Sequence, residues 1–245
     1  MKKYKKFQSI SRVFFLAVIS LLMLRCTPQS PTGDGADSNP QQLKFDTDMD
    51  ALKGKNDSTT KAIRALDMGG LLERLSADAK VLREPFNSPA YREMVTNRKD
   101  KGPDLLADIQ KRQDANLLNL LALREIAPQS YQTLDTALRT KVLVGTLAGS
   151  IYFNLWGLPH LYWEDAAKAV VEIGAPAKPS LKALLDDTSD APMYGSEEVA
   201  EYLDYKYRRC DYALALLMAI RGESALKLPK SPEERDRLIE AERTL

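Results

Sequence analysis

The clearest helical signal in the chain runs from Glu164 to Asp187 and reads EDAAKAVVEIGAPAKPSLKALLDD. Acidic residues stand at its start, where the helix dipole favours negative charge. Apolar residues then recur at helical spacing: Ala166, Ala169, Val170 and Ile173. Gly174 is placed to end this helix, because glycine adopts left-handed backbone without strain. Pro176 and Pro179 suit the start of a second helix, which offers Leu181, Leu184 and Leu185 to the first. The stretch therefore predicts two packed helices joined by a tight corner.

The same pattern recurs at intervals close to 47 residues. A shift of 47 aligns residues 122–127, ALREIA, with residues 169–174, AVVEIG. A shift of 46 aligns residues 165–171, DAAKAVV, with residues 211–217, DYALALL. Two-helix repeats have periods of about 40–47 residues, and one pair cannot bury its apolar faces without neighbours. The chain is therefore predicted to be all-α, built from stacked helix pairs.

The run AAxAVVEIGAPA followed by PSLxALLDD, within residues 165–187, resembles the HEAT repeat, especially its HEAT-like bacterial variety. The resemblance extends more weakly to residues 115–139 and 207–225. It implies an α-α superhelix, a HEAT/armadillo-like solenoid of antiparallel helix pairs over residues 58–245. It also implies a surface that binds a protein or peptide partner, although a fold alone does not define a function.

Residues 1–25 have the composition of a signal peptide. Basic residues come first: Lys2, Lys3, Lys5, Lys6 and Arg12. The apolar run Val13–Leu24 follows, and its length of about twelve residues fits a signal peptide but not a membrane-spanning helix of about 20. The chain is therefore predicted to be exported, with residues 1–25 removed.

Residues 22–26, LMLRC, resemble a bacterial lipoprotein processing site, with Arg25 where a small residue is usual. The resemblance implies that Cys26 carries lipid and anchors the protein to a membrane of the bacterial cell envelope, on its periplasmic or surface face. Residues 26–57 hold many polar residues, with prolines and glycines, and little to bury, so a flexible tether is predicted before the helical domain of residues 58–245.

The net charge of the predicted mature chain bears on its class of binding partner, and the second cysteine has two possible states. Removal of residues 1–25 leaves 29 basic and 34 acidic residues, a net charge of −5. This balance does not favour nucleic acid, whose backbone requires a basic patch. The second cysteine, Cys210, is predicted to be a buried thiol, as free cysteines usually are; a disulfide with Cys26 is the alternative if Cys26 carries no lipid.

The sequence contains little that points to catalysis. It has one histidine, His160, and no nucleophile elbow, phosphate-binding glycine loop or CxxC pair. We therefore expect no catalytic residue, metal site or cofactor. The loop with Asp186, Asp187 and Asp190 lacks the ligand spacing of a calcium site. The alternative is an exported enzyme that uses His160 with Asp165 or Glu164.

Residues 152–163, YFNLWGLPHLYW, contain both tryptophans and the histidine, and we call this segment the aromatic corner. Gly157 and Pro159 predict a non-helical turn between helices. One interpretation is that the rings fill the gap between repeats, because this many rings must be largely buried in a soluble domain. The other is that the corner binds a partner, since Trp and Tyr dominate interface hot spots. The candidate binding residues are Trp156, His160, Tyr162 and Trp163.

The sequence makes three further local predictions. A helix is predicted to begin at Asp114 and to lie centrally in the stack, because apolar residues surround most of it. Gly145 and Gly149, four residues apart, predict close approach of a neighbouring helix. Four residues line up at helical spacing and predict an amphipathic seam between helices, with a stripe that docks a partner as the alternative: Tyr202, Tyr205, Arg209 and Tyr212.

Overall fold

The computed structural model of the protein describes residues 57–81, 87–113 and 115–244. These residues belong to one unit that spans Lys53–Leu245. The predicted signal peptide, the lipid-bearing Cys26 and the tether up to residue 56 lie outside the described residues. The prediction of an all-α fold is confirmed, because helices account for most of the described part of the chain.

Residues 57–64 are helical, and eleven labelled helices follow in chain order. These are α1 (Met68–Val81), α2 (Pro89–Asn97), α3 (Gly102–Arg112), α4 (Leu117–Ile126), α5 (Pro128–Thr133), α6 (Thr136–Gly149), α7 (Asp165–Ile173), α8 (Lys178–Lys182), α9 (Ser196–Tyr205), α10 (Arg209–Ile220) and α11 (Pro232–Thr244). Short 3-10 turns lie at Lys99–Lys101, Ala175–Ala177, Ala183–Asp186 and Ala225–Lys227. Strands β1 (Gly157–Leu158) and β2 (Tyr162–Trp163) form an antiparallel hairpin between α6 and α7.

The helix ends follow the capping chemistry of the sequence. Ser88 accepts a hydrogen bond from the backbone N–H of Tyr91 at 2.9 Å, and α2 begins at the proline that follows. Ser231 does the same for α11, accepting from Glu234 N–H at 3.3 Å. Gly174 ends α7 with a positive φ of 73°. Asn116 caps α4, so that helix begins at Leu117 and not at Asp114 as predicted.

Four helices form a contact series through the domain. Helix α1 packs against α4, α4 against α7, and α7 against α10. Helix α4 also contacts α2, α3, α5 and α6, as expected from its apolar circumference. Five of its residues are at most 3% exposed: Leu118, Leu120, Leu121, Ala122 and Leu123. The central position predicted for this helix is therefore confirmed.

The second helix of the opening stretch packs differently from the prediction. Helix α8 has five residues, and it and the 3-10 turn after it pack mainly against α10. Leu181 and Leu185 are buried there. The predicted packing of the second helix on the first is therefore wrong, because α8 packs mainly on α10. The 3-10 turn at Ala175–Ala177 separates the two helices, and α8 is too short to lie along α7.

Two other predictions are corrected. Gly145 and Gly149 are exposed, and apart from the backbone of α6 itself and the adjacent residues, no atom of the described residues lies within 4 Å of where a Cβ would stand at either glycine. No helix approaches α6 closely at these glycines. The predicted tyrosine seam is interrupted, because the chain leaves the helix at Lys206 with a left-handed φ of 51°. Tyr202 and Tyr205 consequently belong to α9, whereas Tyr212 belongs to α10.

Candidate functional site

The aromatic corner forms a tight β-hairpin, which the sequence did not predict. Gly157 pairs with Trp163, and Leu158 pairs with Tyr162. Gly157 has φ of 82°, and a Cβ at this position would lie 2.5 Å from the carbonyl oxygen of Tyr162. Only glycine fits such a contact without moving the partner strand. The hairpin therefore fixes residues 159–161 at its turn.

Trp156 lies inside the domain. Its side chain has no exposed surface, and its indole Nε1 donates a hydrogen bond to Ser150 Oγ at 3.0 Å. The neighbouring ring of Phe153 is equally buried, 4.7 Å from that of Tyr212. This is the arrangement that the packing interpretation expects. Trp156 has no surface that a partner could contact in the folded domain.

His160 lies at the hairpin turn and contacts two other segments. Its Nδ1 is 2.8 Å from the hydroxyl oxygen of Tyr207, and its Nε2 is 3.1 Å from Oε2 of Glu201. Its ring stacks on that of Tyr205, with 4.0 Å between centroids. An ionised carboxylate only accepts hydrogen bonds, so a neutral His160 carries its proton on Nε2. Nδ1 then accepts a hydrogen bond from Tyr207.

The electrostatic environment favours neutral His160. Burial lowers the pKa of the imidazole below its usual 6.5, and the positive charge of Lys230 acts in the same direction. The carboxylate of Glu201 opposes this shift. Burial also raises the pKa of the Tyr207 phenol well above its usual value. Near pH 7, Tyr207 therefore donates and His160 Nδ1 accepts.

Two residues of the enzyme alternative, His160 and Asp165, each contact charged or polar groups. Oδ1 of Asp165 lies 3.6 Å from Nη1 of Arg124 and 3.5 Å from Nζ of Lys168. These two cations balance the negative charge of the carboxylate. Both ring nitrogens of His160 are occupied by Tyr207 and Glu201. The hydroxyl that His160 contacts belongs to a fully buried tyrosine. This geometry fixes one tautomer of the neutral histidine.

The exposed part of the corner lies at and beside the turn. Leu161 is 61% exposed, which is high for a large apolar side chain, and Tyr162 and Trp163 beside it are half-buried. Sequence reasoning missed Leu161, although its position between histidine and tyrosine at a predicted turn was a usable signal. It also missed Glu201 and Tyr207, because these residues lie more than 40 positions from His160.

The acidic loop after α8 makes ion pairs within the domain. Asp186 pairs with Arg243, and Asp187 lies 3.1 Å from Arg209. In the described ranges, no three His, Cys, Asp or Glu side chains are grouped as a metal would require. No described helix combines the length and the apolar character needed to cross a lipid bilayer.

A surface groove of about 670 Å³ lies where α3 ends beside the corner between α5 and α6. Its lining mixes apolar residues with neutral and charged polar groups: Ile109, Gln110, Gln113, Thr133, Leu134, Asp135, Ala137, Leu138 and Lys141. None of the residues of the aromatic corner belongs to it. The groove is therefore separate from the candidate site.

No protein-family model, curated protein or solved structure matches the chain. Fold and site together define a mostly helical domain with an aromatic β-hairpin between α6 and α7.

Proposed function

We propose that the protein is an exported cell-envelope lipoprotein whose HEAT-like helical domain binds a protein or peptide partner through the aromatic corner. The helices of the contact series support the repeat assignment, because α1, α4, α7 and α10 begin at residues 68, 117, 165 and 209. These intervals of 49, 48 and 44 residues are close to the period of two-helix repeats, about 40–47 residues.

The exposure of Leu161 on a hydrogen-bonded turn carries the proposal. The backbone N–H of Leu161 donates a hydrogen bond to the carbonyl of Leu158 at 2.9 Å. The pairing of β1 with β2 and the side-chain hydrogen bonds of His160 hold the rest of the turn. An apolar anchor that is already ordered loses little conformational entropy when a partner covers it. Half-buried Tyr162 and Trp163 extend the apolar surface beside it, and such rings are enriched at interface hot spots.

The anchor part of the proposal concerns Cys26 and the tether. A flexible chain of about 30 residues has a root-mean-square span of about 30 Å. Lipid on Cys26 would hold the helical domain at an average distance of about 30 Å from its anchor. The partner is therefore expected among proteins or peptides at the same membrane surface.

Site-specific photo-cross-linking tests the proposal. A photoreactive amino acid replaces Leu161 in the full chain, and a matched variant carries it at Leu238, an apolar residue of α11 that is 37% exposed. Irradiation of intact cells is expected to give a discrete adduct from position 161 and none from position 238. Equal adducts from both positions, or none from position 161 in a folded protein, would contradict the corner as the binding site.

A further inference from the structure

Helix α9 has one side that is attached to the domain. Tyr202 and Tyr205 are partly buried and pack against the hydrophobic core. The carbonyl oxygen of Tyr205 accepts a hydrogen bond from Nη2 of Arg235 at 2.8 Å, and Nε2 of His160 lies 3.1 Å from Oε2 of Glu201. These contacts fix which side of α9 faces the domain, so the opposite side faces solvent.

The solvent-facing side of α9, which we call its outer side, carries a large apolar residue. Leu203 is 61% exposed, the same fraction as Leu161 at the hairpin turn, and Ala200 beside it is also exposed. The turn and α9 are neighbours, because His160, which precedes Leu161, contacts α9 directly. Two of the four exposed large apolar side chains among the described residues therefore lie on adjacent elements.

Helix α9 carries only negative charge. Its ten residues include four carboxylates and no basic residue: Glu197, Glu198, Glu201 and Asp204. No other described helix has acidic residues without a basic one. The helix dipole favours Glu197 and Glu198, which lie in the first turn, but it disfavours Asp204 in the last turn. The dipole therefore does not account for the whole acidic pattern.

The carboxylates of α9 are spaced so that they repel one another. Glu197 and Glu201 are four residues apart, Glu201 and Asp204 are three apart, and like charges at these spacings destabilise a helix. Nζ of Lys230 lies 2.7 Å from Oδ2 of Asp204, and Lys206 follows the helix. Four carboxylates and two lysines leave a net charge of −2. A positively charged partner would reduce the repulsion.

We propose that the binding surface extends from the hairpin turn onto the outer side of α9 and takes a positively charged, amphipathic segment of a protein or peptide. Apolar side chains of that segment cover Leu161 and Leu203, and its lysine or arginine residues lie against the carboxylates of α9. The inference rests on the proposed function and adds the chemistry of the partner. Complementary charge of this kind speeds association and disfavours acidic competitors.

Two synthetic peptides with the same leucine spacing test the charge of the partner. One has lysine at every polar position and the other has glutamate, and both carry a fluorescent label. Binding to the chain of residues 26–245 with Cys26→Ser is measured by anisotropy. The lysine peptide is expected to bind at least about tenfold more tightly than the glutamate peptide. The difference should shrink as the salt concentration rises from about 0.01 M to about 1 M.

Matched variants locate the bound lysine peptide. Leu203→Ser and Glu197→Lys should each weaken its binding at least about fivefold, the smallest effect expected of a residue that contributes to an interface. Leu238→Ser in α11 and Glu73→Lys in α1 make the same chemical changes at exposed residues outside the proposed surface. These two control variants should bind the lysine peptide as the wild type does.

Three results would overturn the inference: binding of neither peptide, equal affinity for both, or unchanged affinity in Leu203→Ser and Glu197→Lys. The proposed function is judged separately, by Leu161→Ser and by the photo-cross-link from position 161. If these two succeed while the α9 variants have no effect, the corner binds its partner without α9. If Leu161→Ser has no effect and position 161 gives no adduct, the proposed function fails as well.

Discussion

Nε of Arg235 lies 3.0 Å from Oδ1 of Asp211, and neither side chain is exposed to solvent. The contact is an ion pair without the alignment of a hydrogen bond. Arg208 approaches the same carboxylate, with Nη2 3.0 Å from Oδ1. The other nitrogens of Arg235 donate to backbone carbonyls, including that of Tyr205 at 2.8 Å. This cluster fastens α11 to the beginning of α10.

Replacing Asp211 with asparagine should strongly destabilise the protein. The change leaves Arg235 buried without its carboxylate, and breaking a buried pair in this way costs about 3–5 kcal/mol. Urea unfolding followed by circular dichroism measures the loss. Asp236→Asn is the matched control, because Asp236 also pairs with Arg208 but is 54% exposed, and its loss should cost less than about 1 kcal/mol. Equal losses in the two variants would show that the buried pair is not a stabilising element.

Trp156→Ala should lower the free energy of unfolding by about 3–5 kcal/mol, the range for truncation of a buried aromatic residue. Trp163→Ala should cost less, because Trp163 is only half-buried. Fluorescence separates the two rings: a Trp163→Phe variant, with only Trp156 left, should emit at short wavelength and resist quenching by acrylamide. Red-shifted, easily quenched emission from that variant would contradict burial of Trp156.

Ala169→Asp should lower the melting temperature by many degrees. Ala169 is fully buried on α7, and an unpaired charge placed there costs several kcal/mol. Ala183→Asp makes the same chemical change at an exposed residue of the turn after α8 and should leave the melting temperature within about 2 °C of the wild type. If both variants have the melting temperature of the wild type, Ala169 does not lie in the core.

Cys210 should react slowly with thiol reagents. It is a buried free cysteine, and burial raises the pKa of its thiol to about 11, which leaves little of the nucleophilic thiolate at pH 8. In a Cys26→Ser background, labelling with a chromogenic disulfide reagent should be slow for the native protein and rapid in urea. Rapid labelling under native conditions would place the thiol at the surface.

Cys26→Ser should abolish incorporation of radiolabelled palmitate and release the protein from the membrane fraction. The expectation rests on the basic and apolar leader, the cysteine after it and the polar tether. Cys210→Ser is the matched control and should keep the label. Equal labelling of the wild type and Cys26→Ser would exclude the lipid anchor.

Local chemistry was readable from the sequence. Capping by Ser88 and Ser231, termination of α7 at Gly174 and the apolar circumference of α4 all depend on residues within a few positions of one another. The all-α fold follows from these signals. The burial of Cys210 was predicted from the general behaviour of free cysteines, and the structure confirms it.

Tertiary relationships were not readable in the same way. The hairpin has strands of two residues each, too short for a periodic pattern. The break at Lys206 carries no glycine or proline to mark it. The contacts of His160 join residues 41 and 47 positions apart, and no local pattern encodes such a pairing. The sequence therefore predicted the aromatic corner as a segment. It did not predict the residues that contact His160, which are Glu201 in α9 and Tyr207 before α10.

The series from α1 through α4 and α7 to α10 affects the order in which the domain can fold. Each contact in the series joins helices that begin fewer than 50 residues apart. Each contact therefore joins adjacent members of the series, and none needs the two ends of the series to meet first. During synthesis, α1 to α4 can pack before α10 leaves the ribosome, and each later helix adds to a surface that is already formed. The amino-terminal half can thus serve as a template for the carboxy-terminal half.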